Sequence, residues 1–310
     1  MPVSHLTLVE RIARVLAGRE LSSNAEGQAI RKMVFKKVKD RWVLTEPTRA
    51  ELGKKLKYET DRFTIDHYEW DQNIVEEIGR LMENAYATVQ AKLGKMPEGR
   101  MYATLLPTDE SAGIRSVNWI ATYSPSVSAV PTPQRPDRIV LRSPQSIGFG
   151  AYNAQEGFGP YFQGVITHEF THLVTNRVFG GMARLGGGFS WMSEGFADHV
   201  AGLMRPGEII VAFASGSLIP LQDKSGALER QDLEHIYLLE KDRSLGYAQG
   251  SELVDFVYTE KGGYEGWWKF VDAYDDRQSL EDAVRSEFGM TVEEFENAYH
   301  EFMKNKYNIS

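Results

Sequence analysis

Apolar positions first recur at helical spacing, with Leu6, Val9, Ile12, Ala13 and Leu16 predicting an amphipathic helix near the start of the chain. Met33 to Leu44, with Val34, Phe35, Val38, Trp42 and Leu44 set among lysines, predicts a short hairpin that turns near Lys39-Asp40-Arg41 and stops at Pro47. Alternation then takes over. Arg62 to Tyr68 predicts a half-buried strand that turns Phe63, Ile65 and His67 to one face. Asp71 is the expected cap of a long helix in which Ile74, Ile78, Leu81, Ala85, Val89 and Leu93 line one side and Gly94 ends the run. Arg100 to Leu106 and Arg138 to Arg142 predict two further strands. After Pro160 the spacing becomes helical again through Val165, Ile166, Phe170, Leu173, Val174 and Val178. It stays helical over Tyr247–Tyr258, Tyr264–Tyr274, Ser279–Glu287 and Thr291–Asn305, the last opening on the capping box Thr291-Val292-Glu293-Glu294. Strands gathered in the first half and helices in the second predict an α+β fold.

The helical stripe around Phe170 carries the chemistry. His168-Glu169-Phe170-Thr171-His172 places two imidazoles four residues apart, on one helix face and about one turn from each other. Both rings can reach one ion, with Glu169 beside the place where a water would stand. A third donor is offered by Trp191-Met192-Ser193-Glu194-Gly195-Phe196-Ala197-Asp198, which reads as the start of another helix after the turn Gly186-Gly187-Gly188. Glu194 would complete a two-histidine, one-carboxylate set with a fourth position open, the pattern of catalytic rather than structural zinc. Asp198, one turn further on, can accept a hydrogen bond from the far nitrogen of a ligand histidine and fix its tautomer.

His168-Glu169-x-x-His172 followed by Trp191-x-x-Glu194-Gly195-x-Ala197-Asp198 resembles the glutamate-zincin metallopeptidases, in the form found in peptidase-MA-like proteins and related to aminopeptidase N type and thermolysin-like enzymes. Tyr247-Ala248-Gln249-Gly250 resembles the Tyr-x-x-Gly helix start of the aminopeptidase N type, whose tyrosine stabilises the tetrahedral intermediate. The resemblance implies a zincin-like layout. Residues 58–178 would form an upper lobe with a mixed sheet and the HExxH helix, residues 179–310 a helical lower lobe carrying the third ligand, and residues 1–57 a helix-and-hairpin appendage. The metal would lie in the cleft between the lobes. In such families the strand before the zinc helix, here Arg138 to Arg142, is a sheet edge that pairs with extended substrate; the alternative is an ordinary interior strand. Between Pro144 and Pro160, glycines interleave with Phe149, Tyr152 and Phe158, as in a loop over the cleft or a plain surface loop.

Composition narrows the partners. A net charge of −8 lacks the positive field that phosphate binding needs, so nucleic acid is not expected despite the local run Arg31, Lys32, Lys36, Lys37, Lys39 and Arg41. The chain has no cysteine, which excludes disulfides and thiolate ligands. No apolar run is long enough to span a bilayer, and Met1 to Glu20 lacks the features of a signal peptide, which leaves the compartment open.

The function expected from these residues is zinc-dependent hydrolysis of peptide bonds in a peptide or protein substrate. One Zn²⁺ held by His168, His172 and Glu194 would activate a water, Glu169 would take its proton and pass it to the leaving nitrogen, and Tyr247 would share the developing oxyanion. Aminopeptidases of this resemblance carry a Gly-x-Met-Glu-Asn loop before the zinc helix, and no such match lies between Ser143 and Gly164. An endopeptidase or oligopeptidase is therefore expected first, with an aminopeptidase of the same fold second. A zinc-stabilised peptide-binding module without catalysis is the alternative from another class, and Glu169 and Tyr247 speak against it.

Overall fold

The structure is a computed structural model that describes residues 34–107, 121–124, 137–144, 158–180, 191–221, 243–277 and 279–309. The expected helix over residues 6–16, the turn at residues 186–188 and the centre of the loop after Pro144 lie outside the described residues.

β1 (Val34–Val38) and β2 (Arg41–Thr45) pair antiparallel as a hairpin, with Lys39 at positive φ where the chain reverses. A single helical turn, α1 (Arg49–Leu52), follows behind a Thr48–Glu51 capping box. The main sheet contains β3 (Lys55–Glu59), β4 (Phe63–Tyr68), β5 (Met101–Leu106), β6 (Ala121–Ser124) and β7 (Arg138–Arg142), in the order β3-β4-β5-β7-β6. β4, β5 and β7 run parallel to one another, while β3 and β6 close the two edges antiparallel. β3 crosses the boundary expected at residue 57.

Period-two alternation turns Phe63, Ile65, Met101, Ala103, Leu105, Ile139 and Leu141 to one buried face. α2 (Val75–Leu93) packs against β3 and β4, buries Ile78, Leu81, Met82, Ala85 and Val89, and ends at Gly94 in the left-handed region. Its N-cap is Ile74, so Asp71 is not the cap expected from sequence. Asp71 instead stands fully buried in a 3₁₀ turn and accepts a 2.5 Å hydrogen bond from the Ser143 hydroxyl just past β7, pinning the sheet end to the helix start.

β7 was one of two readings, edge or interior. It is interior, because the four-residue β6 pairs along its outer side from Ala121↔Leu141 to Ser124↔Arg138. A strand of that length is too short for alternation to announce it.

α3 (Pro160–Val178) starts on Pro160 at its first turn, where a missing N–H leaves no carbonyl unpaired. It packs against α2, β6, β7 and α4 (Trp191–Ala201), and buried residues lie on most of its faces, from Phe162 to Thr175. Such all-round burial marks a central helix rather than a surface one. Its last turn is tied to the sheet by Arg177, whose Nε donates to both carboxylate oxygens of the buried Asp137 at 2.9 Å.

The described remainder is mainly helical: α5 (Pro206–Ser215), α6 (Arg243–Glu260), α7 (Tyr264–Arg277), α8 (Leu280–Phe288) and α9 (Val292–Tyr307). α6 is the hub, in contact with α4, α5, α7 and α9. Ser279 and Thr291 cap α8 and α9 through their side chains, the latter in the capping box expected from sequence. Among the described residues no helix is long and apolar enough to cross a membrane.

Candidate metal centre

Two helices meet at the site, each gripping the core on one side while presenting donors on the other. On α3, Phe170 packs edge-on against Phe63 of the sheet at 5.4 Å, and His168 and His172 lie on the face turned toward α4. On α4, Phe196 stacks on Trp267 of α7 with 5.4 Å between ring centres, and Glu194 lies toward the histidines. Burial of each phenyl side chain contributes about 2–3 kcal/mol, which fixes the rotation of its helix and hence the aim of its donors.

Gly195 explains how closely the third donor is held. α4 crosses α6 there so tightly that a Cβ on residue 195 would stand 2.4 Å from the carbonyl carbon of Gly250. Only glycine fits this crossing, and it places Glu194 beside the first turns of α6, where Tyr247 resides.

The donor atoms converge. His168 Nε2 lies 3.1 Å from His172 Nε2 and 3.1 Å from Glu194 Oε2, and His172 Nε2 lies 3.5 Å from the same oxygen. Three donors of the His, His, Glu set all lie within 4.8 Å of one another, and all three residues are buried. A tetrahedral ion with bonds of about 2.0–2.1 Å needs corner-to-corner separations of roughly 3.3–3.4 Å, so the spacing and the nitrogen and oxygen chemistry fit zinc.

Asp198 stands behind His168, its Oδ1 accepting from Nδ1 at 2.7 Å, so that Nε2 is the nitrogen that would give up its proton to a cation at the cluster. His172 Nδ1 lies 3.4 Å from the Ser193 hydroxyl. Burial opposes a charge on His168, but the Asp198 and Glu194 carboxylates outweigh it and raise its pKa well above the usual value. Burial likewise opposes the Glu194 charge, and the two histidines overcome it and hold the carboxyl far below the usual range. A cluster that favours positive charge at one end and negative at the other is one that exchanges protons for a cation.

No family model matches the chain, and no curated protein matches it. Among solved structures it is similar to M1 zinc metallopeptidases. A mutant of the enzyme from Deinococcus radiodurans is 12% identical with a TM-score of 0.39, over 88% of this chain and 61% of that one. The unmutated enzyme from the same organism is 12% identical with a TM-score of 0.37, over 89% and 60%. A two-domain M1 zinc metallopeptidase mutant bound to L-arginine is 11% identical with a TM-score of 0.36, over 90% and 60%. The chain thus spans about three fifths of the length of these structures. Likeness at that level carries no argument, and the chemistry rests on the geometry of the cluster.

Tyr247 stands beside the same donors, within the field of Glu169. The Tyr247 ring lies 6.3 Å from that of His168, in the second turn of α6. Its hydroxyl is hydrogen-bonded to Glu194, and burial together with the charges of Glu194, Asp198 and Glu169 raises its pKa, keeping the phenol protonated. Glu169, next along α3, is partly buried and near enough for its charge to act on Tyr247.

One residue near the site was not legible in the sequence. Arg205, which precedes α5, sets its guanidinium 3.6 Å from Asp198 Oδ2 and 5.1 Å over the Tyr247 ring. His199, adjacent to Asp198, faces away from the donors: its ring meets Tyr258 and Tyr264 and its Nδ1 lies 3.6 Å from Asp255. His67 is a buried strand residue whose Nδ1 lies 2.9 Å from the Tyr68 carbonyl oxygen.

Proposed function

We propose that this chain is a zinc-dependent metallopeptidase, an endopeptidase or oligopeptidase, that hydrolyses peptide bonds with an activated water. The observation that carries the reading is the buried His168, His172 and Glu194 donor set, three atoms 3.1–3.5 Å apart with Asp198 behind the first histidine. When bound there, zinc supplies Lewis acidity, lowering the pKa of a water to about 7 and polarising a carbonyl.

The protein's own groups do the rest. Glu169, outside the donor set yet beside it, takes the proton of the attacking water and returns it to the leaving amide nitrogen. Tyr247 keeps its proton near neutral pH and can therefore donate a hydrogen bond to the oxygen on which negative charge develops. Asp198 holds the tautomer and ring plane of His168 through its 2.7 Å contact. Among the described residues β6 is the edge strand of the sheet and lies next to α3, where extended peptide backbone could add as a further strand. Endo- over aminopeptidase specificity rests on the stretch from Ser143 to Gly164, which has no match to the amine-capturing loop.

The test is mass spectrometry of a mixed peptide library incubated with zinc-loaded protein and with Glu169→Gln. Internal cuts made by the parent alone are the expected result. Stepwise loss of N-terminal residues would replace the endopeptidase reading by the aminopeptidase one. Equal cleavage by Glu169→Gln would refute the proton-transfer role, and no cleavage by either protein would favour a binding module.

A further inference from the structure

Asp198 is only 1% exposed, and its two oxygens are treated differently. Oδ1 accepts from His168, whereas Oδ2 has no hydrogen-bond partner among the described residues and faces the Arg205 guanidinium at 3.6 Å. A buried carboxylate oxygen without a donor is costly unless a cation stands by it, and arginine keeps its charge at every relevant pH. The same guanidinium lies over the Tyr247 ring at 5.1 Å, a cation on an aromatic face, and its Nη1 donates to the Ser244 carbonyl at 3.4 Å. Ser244 in turn donates its hydroxyl to Glu208 in the first turn of α5, at 2.9 Å to each oxygen. One side chain therefore touches the end of α4 that orients a ligand histidine and the start of α6 that carries the oxyanion donor.

We propose that Arg205 is a positioning residue that acts through Asp198 on the metal-holding histidine and through the ring face on Tyr247. The inference rests on the metallopeptidase reading, but its main readout does not require activity. Removal of Arg205 leaves Asp198 free to turn, and His168 loses the constraint on its ring. A lysine replaces the charge but not the plane, so it can serve Asp198 without lying flat on Tyr247.

The experiment compares the parent, Arg205→Met, Arg205→Lys, Asp198→Asn and the Asp198→Asn/Arg205→Met pair. Zinc affinity is measured by competition with a chromophoric chelator, the melting temperature is taken metal-free, and kcat and KM are measured on a cleaved peptide. Arg205→Met is expected to bind zinc several-fold more weakly, up to about the tenfold that opens the range for losing a partner directly behind a ligand, and to lower kcat with KM little changed. Arg205→Lys should recover most of the zinc affinity while kcat stays low. In the Asp198→Asn background, loss of Arg205 should weaken zinc no further. Unchanged zinc affinity in Arg205→Met would overturn the proposal. So would an equal loss with and without Asp198, the result expected of a purely structural residue. If the parent cleaves no peptide, the peptidase reading fails, and the zinc comparison alone still decides the role of Arg205.

Discussion

Gly195→Ala separates two opposite expectations by sign. In a helix, alanine is favoured over glycine by about 1 kcal/mol, so propensity alone predicts a more stable protein. The crossing with α6 predicts the reverse. The added Cβ would lie 2.4 Å and 2.5 Å from the carbonyl carbon and oxygen of Gly250 and 2.9 Å from the Ser251 nitrogen. All three atoms are backbone and cannot rotate away, so the helices must part by roughly 1 Å to restore ordinary contact, an overpacking cost near the upper end of about 1–3 kcal/mol. The net loss is about 2 kcal/mol, or roughly 3 °C in melting temperature for a chain of this size. Because Glu194 precedes the strained position, the same displacement moves its carboxylate from the histidines, and zinc affinity should fall with stability. Calorimetry and chelator competition on Gly195→Ala measure both. Gly207→Ala serves as the control, since among the described residues no atom beyond its own helix lies within 4 Å of its added Cβ and it should not lower the melting temperature. A Gly195→Ala protein that melts at or above the parent with unchanged zinc affinity would show that the close crossing does not shape the site.

Three further outcomes are expected. Tyr247→Phe should lower kcat on the order of a hundredfold while zinc affinity holds, and unchanged turnover in steady-state assays would reduce the residue to packing. Chelation of zinc by EDTA should remove about 2.7 kcal/mol of stability where free zinc stood at about a hundred times its dissociation constant. The same treatment should leave the melting temperature of Glu194→Ala unmoved, and a matching drop in that variant would place the ion elsewhere. Burial and, to a smaller degree, Lys92 and Lys306 pull His199 down to about 4 against the Asp255 carboxylate. The unfolded chain then takes up a proton from about pH 6.5 that the folded chain refuses until about 4, so stability is complete above that window and falls by about 3 kcal/mol on acidification through it. His199→Phe should flatten the pH dependence of the melting temperature over this range, and parallel curves for the two proteins would exclude His199 as its source.

The parts of this molecule written in local spacing could be read from the chain. His168 and His172 share a face because four residues make about one helical turn, and Gly94, Ser279 and Thr291 end or begin helices through chemistry confined to a few neighbours. Features that depend on distant contacts stayed hidden. β6 is four residues with no room for a pattern, so the interior place of β7 was open until pairing was seen. Asp71 looks like a cap from sequence, yet Ser143, 72 positions away, claims its carboxylate. Arg205 follows no motif at all; its meaning lies in where Asp198 and Tyr247 happen to stand. The short α5 opens on Pro206-Gly207, which reads as a loop until its apolar residues meet α6.

The donor set is compact along the chain as well as in space. His168 and Glu194 are separated by 26 positions, whereas Tyr247 lies 79 positions beyond His168. Closing the shorter loop costs about 1 kcal/mol less entropy than closing the longer one. During folding, therefore, the ion-holding half of the site is the nearer goal, and an ion captured there would shorten the remaining search by fixing α4 before α6 arrives. Were zinc captured there early, it would favour assembly of the helical half of the protein, and refolding in its presence should bring Tyr247 into place faster than refolding without it.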